Sequence, residues 1–266
     1  FEHYPDERIL LLTHVKELIE QNHARLLALW PEAPAGIYSA GLKSRELDRP
    51  ITFAGIQSFH KVAGKLPPPS LVLIDEAHLC GKDDGTMYRT TLDTLTAANP
   101  DLRIIGYTAT PYRLAGGLLH KGEGRIFTHV AYDLPVKRLI AQGHLCRPIV
   151  KHVECIIDTT GIASRGGDFV QGDLARRVEQ DLEAVEASVD EAVKLSREQK
   201  RRHWLIFACS IAHAEMIYGK LNGLGVPARF VHGGTPSEDR AEFVRQAKAG
   251  EITALINVGV FTTGFD

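Results

Sequence analysis

The sequence predicts an α/β protein made of two parallel-sheet lobes. Short apolar runs, each typical of a buried parallel strand, alternate with longer stretches of helical period. The alternation stops after Arg147-Pro148 and then resumes as a second series. With 266 residues, 44% of them hydrophobic and 24% charged, the chain has the length and composition of a globular protein with two ordinary domains.

The first series contains four predicted strands and three predicted helices. The strands are Ile9 to Thr13, Ile51 to Ala54, Leu71 to Asp75 and Arg103 to Tyr107. The helices are Val15 to Leu29, Thr86 to Ala98 and Leu134 to Gln142. We expect residues 1–150 to form the first lobe.

The second series follows an exposed excursion, which the glycine-rich and polar composition of Gly161 to Gly172 predicts. Its strands are predicted at Trp204 to Ala208, Ala228 to Val231 and Thr253 to Asn257. Its helices are predicted at Asp181 to Gln199, Ile211 to Leu221 and Ser237 to Ala249. We expect residues 151–266 to form the second lobe, with a ligand cleft between the two.

The composition bears on the cellular location of the protein but does not identify a binding partner. No run approaches the roughly 20 apolar residues of a membrane span and no leader stands at the N-terminus, so we expect a cytoplasmic protein. The formal net charge of -2 neither predicts nor excludes nucleic-acid binding. The four cysteines are scattered and are expected to be reduced thiols. A zinc site could be considered at His144, Cys146, His152 and Cys155, but the spacing of Cys146 and Cys155 is not the usual spacing of zinc ligands.

The strongest chemical signal is the tetrapeptide Asp75-Glu76-Ala77-His78. Its carboxylates emerge where an apolar strand ends, which is the place at which open α/β sheets hold ligands. One carboxylate there can hold Mg²⁺ through water, and its neighbour can orient and deprotonate an attacking water. The plain alternative is an exposed acidic turn after a strand.

A second signal follows the next strand along the chain, at Thr108-Ala109-Thr110-Pro111. It places small hydroxyl side chains where His78 could reach them. Such hydroxyls can relay a change at a nucleotide to the opposite lobe. Alone, Thr-Ala-Thr is more often an ordinary turn at the end of a strand.

Four segments, in this order, resemble motifs Ia, II, III and V of superfamily 2 helicases. They are Thr13-His14-Val15-Lys16-Glu17-Leu18, Asp75-Glu76-Ala77-His78, Thr108-Ala109-Thr110-Pro111 and Asn257-Val258-Gly259-Val260-Phe261-Thr262-Thr263-Gly264-Phe265-Asp266. The resemblance covers nearly the whole chain. Within the superfamily, the DEAH box and its companion motifs are most similar to the bacterial and phage group of RadD-like DNA-repair ATPases.

The resemblance implies two RecA-like lobes that bind ATP and Mg²⁺ between them while a nucleic-acid strand, most often single-stranded DNA, crosses both. It implies that Asp75 coordinates Mg²⁺ and that Glu76 is the catalytic base. The residues implied to couple hydrolysis to movement are His78, Thr108 and Thr110. The residues implied to act from the second lobe are Gly264 and Asp266 at the nucleotide and Thr262 nearer the nucleic acid.

Two elements of the family pattern are not found in these residues. A glycine-rich phosphate loop ending in Lys-Ser or Lys-Thr is expected upstream of Phe1, and an arginine-rich motif VI beyond Asp266, so both ends look cut. The nearest look-alike, Gly36 to Ser44, has one residue too many before its lysine and is interpreted as a surface loop near the nucleic-acid track. We therefore expect negligible ATPase activity from residues 1–266 alone.

Nucleic-acid contacts are expected from small hydroxyls, amides and helix N-termini. Turns of that composition recur in both halves of the chain, and the residues singled out in them are Thr13, His14, Thr52, Gly55, Gln57, Gly233 and Thr235. Each turn taken singly is more often a plain helix cap, but the recurrence of such turns at matching places in the two lobes favours contact. The basic run Lys200-Arg201-Arg202 is interpreted as a solvated face.

Three functions remain open from the sequence. The first is an ATP-driven DNA helicase or translocase in repair or phage replication. The second is the motor subunit of a restriction system, with a nuclease or methyltransferase partner. The third is a non-catalytic nucleic-acid-binding scaffold, which would have no chemical need of Asp75, Glu76 and Thr110.

Overall fold

The computed structural model describes residues 7–80, 86–113, 117–149, 157–165 and 168–261. The chain divides into two compact units, Phe1–Leu139 and Ile140–Asp266. The boundary expected near residue 150 thus falls inside the second unit, and the roles assigned to the two lobes stay predictions.

The first unit is a six-stranded sheet with strand order β3-β2-β4-β1-β5-β6, in which every strand except β3 runs parallel to its neighbours. Its strands are β1 (Ile9–Thr13), β2 (Ala35–Ser39), β3 (Ser44–Arg45), β4 (Ile51–Gly55), β5 (Leu71–Ile74) and β6 (Arg103–Gly106). Its helices are α1 (Lys16–Leu29), α2 (Ile56–Phe59) and α3 (Met87–Ala98), and helix α4 (Val136–Ala141) leads into the second unit. A short hairpin pairs β7 (Tyr112–Arg113) with β8 (Gly117–Leu118).

One face of this sheet carries the first core. Leu10 and Leu12 of β1 and Val72 and Ile74 of β5 alternate along their strands and are almost wholly buried against α2 and α3. Burying a side chain of this size stabilises the fold by about 1.5–3 kcal/mol. Because the strands are parallel, their carboxyl ends meet along one edge of the sheet, and that edge displays the residues of the candidate site.

The expectation of a surface loop from Gly36 to Ser44 is wrong for its first residues. Ala35–Ser39 forms strand β2, which pairs with β4 in parallel register and with β3 in antiparallel register. A Cβ on Gly36 would lie 2.7 Å from Cγ of Arg49, so the glycine permits the close packing of this strand. Of this segment, only residues 40–43 form a turn, which joins β2 to β3.

The second unit is built on a smaller parallel sheet with strand order β11-β13-β12. Its strands are β11 (Trp204–Phe207), β12 (Ala228–Val231) and β13 (Ala254–Asn257). Its helices are α5 (Gln171–Glu179), α6 (Leu182–Glu198), α7 (Ile211–Gly223) and α8 (Ser237–Ala249). Two further strands, β9 (Ser164–Arg165) and β10 (Asp168–Phe169), pair as a hairpin within the predicted excursion.

Two helices of the second unit, α6 and α7, begin at N-termini that a side chain caps. The side chain of Asp181 accepts the N–H of Ala184 at the start of α6, and that of Ser210 accepts the N–H of His213 at the start of α7. Ala214 and Leu221 of α7 are wholly buried in the core. Within the described ranges, none of the helices is long and apolar enough to cross a membrane.

Candidate functional site

The site begins where the chain leaves β5. The N–H of Asp75 donates to the carbonyl of Leu12 at 3.0 Å, which extends the sheet by one residue. Glu76 then adopts a left-handed backbone conformation, with φ 53° and ψ 50°, and its N–H donates to Oδ1 of Asp75 at 3.0 Å. A non-glycine residue in this region costs about 1 kcal/mol or more, so the turn that carries the two carboxylates is strained.

The next strand holds this turn in place. The N–H of Ala77 donates to the carbonyl of Tyr107 at 2.8 Å, and the N–H of Tyr107 donates to the carbonyl of Ile74 at 2.8 Å. Gly106 makes the approach possible, because a Cβ there would lie 2.7 Å from Cβ of Ala77 and 2.5 Å from Cζ of Phe127. The loops after β5 and β6 are therefore packed against each other at the edge of the sheet.

His78 joins these two loops through its side chain. Its Nδ1 lies 3.0 Å from the hydroxyl of Thr108 and 3.2 Å from Oε2 of Glu76. Because a carboxylate can only accept, Nδ1 carries a proton in this contact. The same hydroxyl accepts the N–H of Thr110 at 3.0 Å and lies 3.3 Å from the carbonyl of Thr110. The DEAH box and the Thr-Ala-Thr segment thus form one hydrogen-bonded unit.

The turn after β1 lies beside the same carboxylates. Burial lowers the pKa of His14, the charge of Glu76 raises that pKa, and His78 and Asp75 act on it more weakly. The carbonyl of His14 accepts the side-chain amide of Gln57 at 2.9 Å. His14, which the sequence assigned to the nucleic-acid track, therefore lies next to the acidic residues of the DEAH box as well.

Three polar atoms around this site are buried and have no hydrogen-bond partner among the described residues. They are Oγ1 of Thr13, Nδ1 of His14 and the hydroxyl of Tyr88. Burial raises the pKa of Tyr88, and the charges of Cys80 and Asp75 act in the same direction. Since an unsatisfied buried polar group costs about 1–3 kcal/mol, such a concentration is typical of a functional site.

A cavity of about 230 Å³ lies between α1 and the carboxyl ends of β1, β4 and β5. Its polar wall is formed by Thr13, Asn22, Asp75 and Tyr107. Nδ2 of Asn22 lies 3.5 Å from Oδ2 of Asp75. The sequence reasoning missed Asn22, although a polar residue one turn after the buried Ile19 on the same helix was the available signal.

The remaining predicted residues of the first unit divide into two groups. Gly55 lies opposite Thr13 in the register of β4 with β1, and Gln57 follows it, so both stand at the edge that carries Asp75. Thr52 lies near the other end of β4, where it is buried and donates its hydroxyl to the carbonyl of Arg49 at 3.1 Å. The structure therefore does not bring Thr52 to this site.

In the second unit, the turn after β12 is closed by its own polar groups. The N–H of His232 donates to the hydroxyl of Thr235 at 3.0 Å, and the N–H of Gly234 donates to Nδ1 of His232 at 3.1 Å. Thr235 is buried, whereas Gly233 is exposed. Thr262, Gly264 and Asp266 lie outside the described residues.

Asn257, which opens the motif V segment, has a structural role that the sequence did not indicate. It is wholly buried at the end of β13, and its Oδ1 accepts the N–H groups of Val260 and Phe261 at 2.9 and 2.8 Å. One side chain therefore shapes the turn that leads into the segment containing Thr262.

Comparison with known proteins points to the same superfamily as the order of the sequence motifs. Residues 1–113 match the family described as Type III restriction enzyme, res subunit. The chain is 24% identical over 261 residues to the Saccharomyces cerevisiae protein IRC3, which is named as an ATP-dependent helicase. The alignment covers 97% of this chain and 37% of that protein. The chain is thus similar to superfamily 2 helicase-type proteins.

One further relative and one solved structure extend the comparison to protein length and fold. The chain is 25% identical over 263 residues to a 51.5 kDa protein of a Lactococcus phage, covering 97% of this chain and 50% of the relative. A solved structure of an S. cerevisiae Dbp5 variant bound to Gle1 aligns with 98% of this chain and 58% of its own, at 13% identity and a TM-score of 0.50. The fold is RecA-like, and the chain spans half or less of the curated relatives.

The donor set at the edge of the first sheet suits a hard cation. Asp75 offers carboxylate oxygens beside a polar cavity, and Mg²⁺ is usually held in nucleotide sites by one or two carboxylates together with substrate phosphates. In the described part of the chain, no cluster of three or more His, Cys, Asp or Glu side chains could hold a metal by itself. Asp75 is accordingly the residue that fits a shared site with ATP.

Proposed function

We propose that this chain supplies both lobes of an ATP-dependent motor that moves on single-stranded DNA, with Asp75, Glu76 and His78 as its hydrolytic residues. The observation that carries the proposal is the contact of His78 with both Glu76 and Thr108. A carboxylate suited to activate water is thereby tied to a neighbouring loop. Such a connection has a use in a motor, where a change at the nucleotide must move another part of the protein.

In this proposal each residue has one task. Asp75 holds Mg²⁺ together with the ATP phosphates, and the cation neutralises charge that develops on the transferred phosphoryl group. Glu76 orients a water molecule and accepts its proton. His78, Thr108 and Thr110 form the coupling contact. Gly264 and Asp266 are proposed to reach the nucleotide from the second lobe.

The nucleic-acid track is proposed to follow the exposed ends of strands in both units. In the first unit it uses Thr13, His14, Gly55 and Gln57, which share one edge of the sheet. In the second unit it uses Gly233 and Thr235 after β12, and Thr262 by family likeness. We leave Thr52 out because it lies near the other end of β4, away from the edge that carries Gly55.

Hydrolysis by a longer form of the protein, containing a phosphate loop, tests the proposal. We expect ATPase activity that single-stranded DNA stimulates, and a loss of about 10²–10⁴-fold in Glu76→Gln with DNA binding retained. Glu20→Gln, on the exposed side of α1, is the matched control and should keep full activity. Equal turnover in Glu76→Gln would remove this residue from the role of base, and no turnover in the parent would favour a scaffold.

Residues 1–266 alone are expected to hydrolyse ATP negligibly. They contain neither a suitably placed Lys-Ser or Lys-Thr phosphate loop nor an arginine-rich motif VI, and an arginine finger is worth about 10³-fold or more in related phosphoryl transfers. The measurement is phosphate release by this chain with and without DNA. DNA-stimulated turnover would contradict the expectation.

We propose two alternative biological roles for this motor. A RadD-like function in DNA repair or phage replication, in the cytoplasm, follows from the motif likeness. A motor subunit of a restriction system is favoured by the family that matches residues 1–113. Co-purification of a methyltransferase or nuclease with the longer protein would select the restriction role, and isolation without either would select the first.

A further inference from the structure

A second cavity, of about 320 Å³, lies in the second unit around strand β12. Four of its lining residues carry aromatic rings, and they come from α7, β12, the following turn and α8: Tyr218, Phe230, His232 and Phe243. All four are partly exposed. Rings at the core's margin that also face an open cavity can accept a flat ligand on their free faces.

Three of these rings form a continuous row. Tyr218 meets Phe230 at a centroid distance of 5.6 Å and an angle of 64°, and Phe230 stacks on His232 at 6.0 Å and 26°. His232 is held in this position because its Nδ1 accepts the N–H of Gly234. That bond leaves the neutral ring's proton on Nε2, where it can be donated to a ligand.

A positive charge borders the row. Arg229 lines the same cavity, with its guanidinium 5.9 Å from the ring centre of Phe243. Its guanidinium donates to the carbonyl of Ala228 at 2.9 Å, and it makes no ion pair within the described ranges. Arg245 of α8, by contrast, is paired with Glu242 and Glu251. The charge of Arg229 is therefore available to an anion at the cavity.

We infer that this cavity binds one unpaired nucleobase of a single strand, with Arg229 on an adjoining phosphate. The inference rests on the proposed nucleic-acid motor and adds to it a contact with bases. A flat ring system that carries an anion matches an aromatic wall bordered by an unpaired guanidinium. Stacking of this kind is tolerant of sequence, because every base has a π-face. The cavity also adjoins Gly234 and Thr235, so it continues the proposed track.

The first experiment compares two single-stranded probes of equal length and charge, one with normal bases and one abasic. Stacking on an aromatic side chain is worth about 1–3 kcal/mol per base, so we expect the abasic strand to bind about tenfold more weakly. A strand that contains aminopurine should change its fluorescence on binding, and Tyr218→Leu and Phe230→Leu should abolish that change. Tyr218→Phe should retain it, because the ring is preserved.

The second experiment isolates the charge. Arg229→Gln should weaken binding and reduce the slope of log affinity against log salt by about 0.7, the value for one phosphate on a single strand. Arg245→Gln is the control and should leave the slope unchanged, because its charge is already paired on the same unit. Circular dichroism of each variant separates loss of binding from loss of fold.

The outcomes distinguish this inference from the proposed function. Equal affinity for the normal and abasic strands, or an aminopurine signal that survives both ring substitutions, would overturn the base site and leave the motor intact. Failure to bind either strand would remove the nucleic-acid function and the base site together. Displacement of aminopurine by an aromatic peptide but not by an unlabelled strand would assign the cavity to a protein partner and overturn the inference.

Discussion

Nδ1 of His78 lies 3.0 Å from the hydroxyl of Thr108, and this contact ties the loop after β5 to the loop after β6. Because the same nitrogen is 3.2 Å from Oε2 of Glu76, a shift of either loop alters the surroundings of that carboxylate. The hydroxyl of Thr108 also receives the N–H of Thr110. The hydroxyl of Thr108 thus contacts His78 and Thr110 directly and is joined to Glu76 through His78.

Thr108→Val should separate these loops while preserving the shape of the side chain. We expect a loss of about 1 kcal/mol in the free energy of unfolding, because hydrogen bonds of His78 and Thr110 lose their partner. In the longer protein, stimulation of ATPase activity by DNA should fall more than basal activity. Thr108→Ser restores the hydroxyl and should restore both quantities. Normal stimulation in Thr108→Val would show that the contact is not used for coupling.

Gly106→Ala tests the close approach of the two loops. The added methyl group would collide with Ala77 and Phe127, so we expect the free energy of unfolding to fall by about 1–3 kcal/mol. Gly219→Ala is the contrasting control, because it lies within α7 with nothing near its Cβ position and should stabilise the protein by about 0.5–1 kcal/mol. Chemical denaturation of both variants measures the difference. An unchanged free energy of unfolding in Gly106→Ala would mean that the loop shifts to accommodate the methyl group at little energetic cost.

Asn257→Ala should destabilise the second unit by about 2–4 kcal/mol. The change leaves the N–H groups of Val260 and Phe261 without their acceptor and opens a cavity at a wholly buried position. Asn222→Ala, at an exposed position of α7, is the control and should shift stability by less than about 0.5 kcal/mol. Urea unfolding checks both, and similar midpoints would contradict the role given to Asn257.

The pH dependence of stability should report on His213. Its Nδ1 accepts the N–H of Cys209 at 3.3 Å and lies 3.2 Å from Sγ of Cys209. Burial lowers the pKa of His213 below its ordinary value of 6.5, and the charge of Glu179 opposes that shift. As the pH falls below 6.5, the unfolded chain therefore binds a proton more readily than the folded chain, and the free energy of unfolding decreases.

His213→Gln should flatten that dependence below pH 6.5 without removing it, because burial lowers the pKa of His14 in the same direction. His144→Gln, at an exposed position, is the control and should leave the curve unchanged. Thermal unfolding across this pH range provides the measurement. A slope that is identical in His213→Gln and the parent would show that the imidazole titrates alike in both states.

Where local pattern and tertiary packing agree, the sequence predicted elements to the residue. Strand β1, strand β12 and helix α8 have the bounds expected from it. Strand β2 was missed because Ala35–Ser39 is a weak apolar run whose extended form depends on pairing with β4. Helix α5 was missed because its composition is polar and only Val178 is buried in it.

The sequence predicted which residues lie at the candidate site better than it predicted the contacts between them. Residues at strand ends are visible in the sequence, since a polar group that follows an apolar run marks the edge of a parallel sheet. The position of His14 beside Glu76 depends on the register of β1 with β5, which no local pattern reveals. The same reason explains Asn22, whose amide reaches Asp75 only after α1 packs on the sheet.

The left-handed backbone of Glu76 bears on how such a protein would change under selection. Glycine and asparagine tolerate this conformation better than glutamate, so either substitution would relieve strain while removing the carboxylate. With Glu76 in its proposed role as the base, a screen that rewards thermal resistance alone would therefore tend to enrich variants without hydrolytic activity. Laboratory evolution of the protein should therefore select for activity in every round, because at residue 76 the substitutions that favour stability remove the proposed catalytic carboxylate.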